Sequence, residues 1–231
     1  MKQTLIYKNL TKQALLLATG MVLLCFTTFA LLEPTLSLGQ VNSSFTITQQ
    51  ITDEISFTVP ATNITMVSPI QGISGGNATG TTQTVVRTNA INGYNMTIAF
   101  STSTSAMRGL VSSSTSIRDY GTSTAAEPTF LFNASTSAQF AYTVSATTST
   151  DLDPSFLNNG TNCNAGSTKT ADRCWKGPAT TTFMVVNRTT SAGGGATTTV
   201  RFVVNVPSNP VPALVQDFYQ ATATLTATNN P

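Results

Sequence analysis

The sequence predicts an all-β fold: an antiparallel β-sandwich, Ig-like or jelly-roll-like, behind an N-terminal helix. Three observations carry this. Only 9% of residues are charged while 40% are hydrophobic, and Ser and Thr are abundant throughout. Branched and aromatic side chains suit a pleated, half-buried surface, and this apolar content exceeds that of disordered chains. Apolar and polar residues alternate with period two in one segment after another past residue 40, and no helical apolar stripe occurs there. Short runs of Gly, Pro and Asn separate these segments, as in sandwiches.

The first 40 residues read as a signal peptide or N-terminal membrane anchor. Lys2, Lys8 and Lys12 precede an apolar run, Ala14–Leu32, which ends at Glu33-Pro34; Ser37–Gly39 offers small residues for cleavage. At about 1.5 Å per residue the run is long enough to span a bilayer if it is not cut. The basic flank places the N-terminus in the cytoplasm and the remainder outside, secreted or at the cell surface. Residues 41–231 then form a single domain.

Strands follow in order. Phe45–Ile51 alternates, and Ile55–Val59 continues the pattern to Pro60. Thr84–Thr88 and Tyr94–Phe100 flank Asn89–Gly93, whose Asn-Gly pair tolerates positive φ and predicts a hairpin. Further strands are expected at Thr129–Phe132, Phe140–Ala146, Thr181–Asn187, Thr198–Val206 and Tyr219–Thr228. Gly72–Thr82 reads as a glycine-rich connection, Ser101–Thr124 as a long ordered loop, and Ser191–Thr197 as a hairpin tip. The expected core is Phe45, Ile47, Ile55, Phe57, Val86, Met96, Ile98, Phe140, Tyr142, Val144, Met184, Val186, Phe202, Val204, Tyr219 and Leu225.

Charge excludes one class of partner. The three leader lysines and Glu33 aside, eight basic and eight acidic residues balance. No basic cluster is present to neutralise phosphates, so nucleic acid is not an expected partner.

Cys163 and Cys174 are the two cysteines beyond the leader, and an exported pair is expected to form a disulfide. Zinc needs four ligands, and the chain has no histidine. The CxxC spacing of redox pairs is also missing. Trp175 follows the second cysteine; it either packs against the disulfide or offers a stacking face to a sugar. Asp151 and Asp153, near Asn158 and Asn159, are oxygen donors of the kind calcium takes, without a full acidic-Gly loop. A serine or cysteine nucleophile needs a base. Only Lys169 and Lys176 among lysines lie outside the leader, and scattered acids give no hydrolytic pair. No enzyme, metal or cofactor is expected. Asn-x-Ser/Thr sites at Asn42, Asn63, Asn77, Asn95, Asn133, Asn159 and Asn187 occur about as often as this composition makes inevitable.

The phrase Val86-Arg87-Thr88-Asn89-Ala90-Ile91-Asn92-Gly93-Tyr94 resembles a V-x-T-N-x-x-x-G-Y hairpin of exported bacterial surface proteins. Tyr219–Asn229 is similar to the closing strand of WxL-like and spore-coat-U-like secreted sandwiches. The resemblance covers roughly Phe45–Asn229 and implies a bacterial extracellular sandwich. Cell-wall binding in WxL domains goes with two Trp-x-Leu motifs; Trp175-Lys176-Gly177 departs from that pattern and a second motif is absent.

Three functions fit. The first is a structural or adhesive surface protein presenting Ser/Thr-rich loops to cell-wall or host glycans or to other surface proteins. The second is a subunit of a fibre or array that self-assembles when Phe45–Ile51 adds to a neighbour's sheet. The third is a carbohydrate-binding module stacking sugars on Trp175, Tyr120 or Tyr94.

Overall fold

The computed structural model describes residues 2–30, 41–102, 105–121, 128–132 and 135–231. The chain divides into two compact units, Met1–Gln50 and Ile51–Pro231. The expected cleavage stretch Ser37–Gly39, Glu127 and the Asn133 site lie outside the described residues.

In the first unit, α1 (Lys2–Ala30) forms from a Leu- and Ala-rich run without proline. Thr19 Oγ1 donates to the Leu15 carbonyl at 2.7 Å, a local bond that satisfies a hydroxyl on an apolar helix. Among the described residues no helix is long and apolar enough to cross a membrane. Residues 41–50 follow without regular secondary structure. Val41, Phe45 and Ile47 are 92%, 82% and 84% exposed. The expected strand Phe45–Ile51 is therefore absent, and Phe45 and Ile47 are not core residues. The alternation is real, but a strand exists only where a second strand accepts its main-chain bonds.

The second unit is mostly sheet, with ten strands among the described residues. These are β1 (Ile55–Val59), β2 (Gly76–Thr88), β3 (Tyr94–Phe100), β4 (Met107–Gly109), β5 (Ser116–Asp119), β6 (Gln139–Ala146), β7 (Phe183–Arg188), β8 (Ala196–Val206), β9 (Tyr219–Gln220) and β10 (Ala223–Asn229). Seven form one curled sheet in the order β1-β2-β8-β6-β5-β4-β9, and three form another, β10-β3-β7. The backbone of the large sheet is β2 on β8, paired from Gly76↔Val206 to Val86↔Ala196, and β8 on β6. Pairing is antiparallel except for β5 with β6, which run parallel.

The inner faces of both sheets share one core. Phe100 of β3 lies 6.0 Å from Phe140 and 5.6 Å from Tyr142 of β6, centroid to centroid. Val86, Met96, Ile98, Val144, Val186, Phe202 and Val204 are buried there as expected. Each such side chain contributes roughly 1.5–3 kcal/mol of transfer free energy. Ile55, Phe57, Tyr219 and Leu225 are only half-buried against this core. Met184 is 36% exposed. A register shift between β3 and β7 pairs Met96 with Val186 but Thr97 with Met184; this puts Val185 and Val186 both inside and turns Met184 out.

Two connections differ from expectation in the same way. Asn89–Gly93 turns as predicted, with Gly93 at φ +74° and its N–H on the Ala90 carbonyl at 3.0 Å. A Cβ there would sit 2.1 Å from the Arg188 carbonyl, so only glycine fits. Yet β2 and β3 belong to different sheets, so the link is a crossing and not a hairpin. Ser191–Thr197 likewise carries β7 of the small sheet to β8 of the large one. Arg87 fixes that tip, donating Nε–H to the Gly193 carbonyl at 2.8 Å. Gly76 onwards belongs to β2 and is no loop; Ser101–Thr124 contains β4 and β5; Thr129–Phe132 makes only an isolated bridge.

Candidate functional site

The long connection from β6 to β7 holds the cysteines. Two single 3-10 turns, Ser149–Asp151 and Pro154–Phe156, start it. Phe156 is 2% exposed between Tyr142 and Phe183. Asn158, fully buried, exchanges backbone bonds with Thr168 at 2.8 and 3.2 Å. Its Oδ1 accepts from Gly160 N–H and Thr170 Oγ1, both at 3.1 Å. Cys163 and Cys174 are bonded, with Cα atoms 5.6 Å apart, so the expected disulfide is present. Cys174 is 1% exposed and left-handed at φ +58°, as is Asp172.

Trp175 does not pack with the disulfide. Cys174 joins the inner core, while Trp175 lies with Tyr120, Phe132, Ala141 and Val203 in a second cluster. Its backbone pairs with Thr129 at 2.8 and 2.9 Å, and the next residue, Lys176, with Tyr142 at 2.9 Å each way. The segment thus continues the large sheet along β6. The indole Nε1–H donates to the Asp172 carbonyl at 3.1 Å. Phe132 stands edge-on to the indole at 6.0 Å and stacks on Tyr120 at 4.5 Å. Gly177 passes so close that a Cβ would lie 2.0 Å from the Tyr120 carbonyl.

The three rings suggested for sugar stacking are all covered. Trp175 and Tyr120 are 6% exposed and Tyr94 is 0%. Burial, helped by the Asp151 carboxylate, pushes the Tyr94 phenol up to about 12. None presents an open ring face, so Trp175 is a packing residue in this structure.

The acidic groups of the loop are engaged separately. Asp151 Oδ2 pairs with Arg188 Nη1 at 2.6 Å, and Asp153 Oδ1 accepts from Ser155 N–H at 3.0 Å. They do not converge with Asn158 on one point. Among the described residues no group of three His, Cys, Asp or Glu comes together. Lys169 Nζ donates to the Ala146 carbonyl at 2.6 Å, and Lys176 Nζ sits 4.1 Å above the Phe183 ring. Neither lysine touches a serine or cysteine nucleophile in these contacts.

No family model matches the chain, and no curated protein matches it. The functional reading therefore rests on exposed surface.

Two surfaces stand out. One is the run 41–51. Four of the six odd positions are apolar, Val41, Phe45, Ile47 and Ile51, with Ser43 and Gln49 the exceptions, and every even position is Asn, Ser, Thr or Gln. The other is the side of the second unit where both sheets end. β1 and β10 are edge strands that lie close to one another, linked at one end through Thr88 of β2, whose Oγ1 donates to Asn229 Oδ1, and neither has a ladder partner on its outer edge among the described residues. Half-buried Ile55, Phe57, Leu225 and Ala227 lie along them. The opposite edge of the small sheet is closed: Leu152 bridges Val186, and Asp153 N–H donates to the Val185 carbonyl at 3.1 Å. Sequence reasoning found the alternating run, which is no strand in the structure, but not the open edge. Finding the edge requires knowing which strands end each sheet.

Proposed function

We propose that the chain is an exported, non-enzymatic structural subunit, a disulfide-stapled β-sandwich that assembles into a fibre or array by strand addition. The observation that carries this is the exposed alternating run Val41–Ile51. An uncharged, proline-free alternating segment of this kind, left open to water, is the chemistry of strand addition to a sheet edge. Burying Phe45, Ile47 and Ile51 in a partner is worth roughly 1.5–3 kcal/mol each, against an exposed state that gains nothing. The basic, apolar leader supports export, and the balanced charge and buried aromatic rings disfavour nucleic-acid and sugar-stacking readings.

Size-exclusion chromatography and electron microscopy of the full chain test the proposal. The wild-type chain is expected to form regular multimers. The Phe45→Ser/Ile47→Ser/Ile51→Ser variant is expected to stay monomeric at concentrations at least about 1,000-fold higher, since three such residues sum to about 4.5 kcal/mol or more and about 1.4 kcal/mol is one decade. Unchanged assembly of the triple variant refutes the proposal.

A further inference from the structure

We infer that the acceptor for this strand is the outer edge of β10 in a second copy of the chain, so that Phe45–Ile51 of one copy becomes the next strand of the small sheet of another. The inference rests on the strand-addition reading and specifies its receiving site.

Three observations select β10. First, it is an undefended edge. Ala223–Asn229 has no Lys, Arg, Asp, Glu or Pro, the residues that ordinarily keep an edge from pairing. β1 is shorter, has an irregular register between Phe57 and Val59, and runs into Pro60. β7 is already bridged by Leu152. Second, lengths agree. β10 pairs with β3 without a slip over seven residues, Ala223↔Phe100 to Asn229↔Tyr94, and Phe45–Ile51 spans the same length. Third, patterns agree. The inward side of β10 carries Leu225 and Ala227, half-buried beside Ile55 and Phe57. The outward side carries the exposed Thr224, Thr226 and Thr228. A strand laid along β10 with Phe45, Ile47, Gln49 and Ile51 inward would cover that half-buried row with three apolar side chains and one amide, and Thr46 and Thr48 would join the outer threonine face. The root of the segment is held within the second unit: Glu54 N–H donates to Asn89 Oδ1 at 2.7 Å, and Asn89 Nδ2–H to the Thr52 carbonyl at 3.0 Å.

Directly opposed residues on antiparallel strands have Cα atoms about 4.5–5.5 Å apart, within disulfide reach. The test uses purified full chain with Cys25→Ser. Thr46→Cys or Thr48→Cys is combined with Thr224→Cys, Thr226→Cys or Thr228→Cys, on faces that leave the core intact. Mild oxidation and a non-reducing gel are then read. A reduction-sensitive ladder of dimers and higher species, for at least one register and lost on Phe45→Ser/Ile47→Ser/Ile51→Ser, is expected. Thr46→Cys with Asn187→Cys on β7 should give none. Multimers that form but cross-link only at β7, or nowhere, overturn the β10 site while leaving strand addition standing. A cross-link confined to the monomer means that a chain completes its own sheet, and overturns it. Dimers from Thr226→Cys alone mean β10 pairs with β10, and overturn it too. Absence of any multimer sinks the function and the site together.

Discussion

Removing the Cys163–Cys174 disulfide is the sharpest test of the loop's role. The bond closes a short circuit, with a sequence separation of 11. The chain-entropy relation gives about 3 kcal/mol for a loop of this size. A second effect opposes it. Cys174 is held at φ +58°, and a left-handed non-glycine residue costs about 1–2 kcal/mol. Once the bond is gone, that residue relaxes and returns part of the cost. The net loss for Cys163→Ala/Cys174→Ala is therefore about 1–2 kcal/mol. For a unit of this size each kcal/mol lowers Tm by about 2–4 °C, so the shift is about 2–8 °C. Scanning calorimetry of wild type and variant, each with and without reductant, reads it. The wild type under reductant must fall to the variant's Tm. A variant that melts with the wild type, or two titratable thiols at 163 and 174 in oxidised protein, refutes the argument.

Trp175→Ala is expected to cost about 3–5 kcal/mol in denaturant unfolding, the range for a buried large aromatic, and to change no binding on a glycan array; sugar binding lost with intact folding would contradict the packing role. Alkaline stability should be set by the buried phenols. The Tyr94 pKa is raised from 10 to about 12 by burial, so its stabilising contribution is full below pH 10 and disappears as pH climbs towards 12. Tyr142 is raised by burial as well, and a Tyr94→Phe/Tyr142→Phe variant that kept the same alkaline slope would disprove this. Burial also raises Asp119, whose Oδ1 accepts from Ala106 N–H at 2.8 Å. Its folded-state pKa lies above the unfolded one, so ionisation costs stability at neutral pH. Asp119→Asn keeps an acceptor oxygen and should be at least as stable at pH 7, with the advantage shrinking as pH falls through the carboxylate range; a large loss at pH 7 would show that the charge itself is needed.

Much of the β architecture was readable because alternation reports which side chains share a face. Val86, Met96, Ile98, Phe140, Tyr142 and Phe202 all sit where period two puts them. What alternation cannot report is the next partner. Asn89–Gly93 has the local chemistry of a turn whether the following strand returns to the same sheet or crosses to the other. Met184 fails because one extra residue in β7 inverts the parity. The cysteine pair was legible from compartment and number. Trp175 was not: its partners Tyr120, Phe132, Ala141 and Val203 are distant in sequence and lie on the outer face of the large sheet, where a one-sided pattern predicts solvent. Phe45–Ile51 has the alternation of a strand yet forms none, because the described fold offers it no second strand to pair with.

The tip between β7 and β8 has a practical consequence. Nothing lies within 4 Å of a Cβ built on Gly193 or Gly194. The turn is closed behind them by Gly195 N–H on the Ala192 carbonyl at 2.9 Å and by Arg87. A foreign peptide spliced between these two glycines would leave both sheets undisturbed. If copies polymerise, each repeat would carry the graft at a constant spacing. A weak epitope would then be displayed at high valency, and a divalent receptor could bind it with an avidity that the single graft lacks.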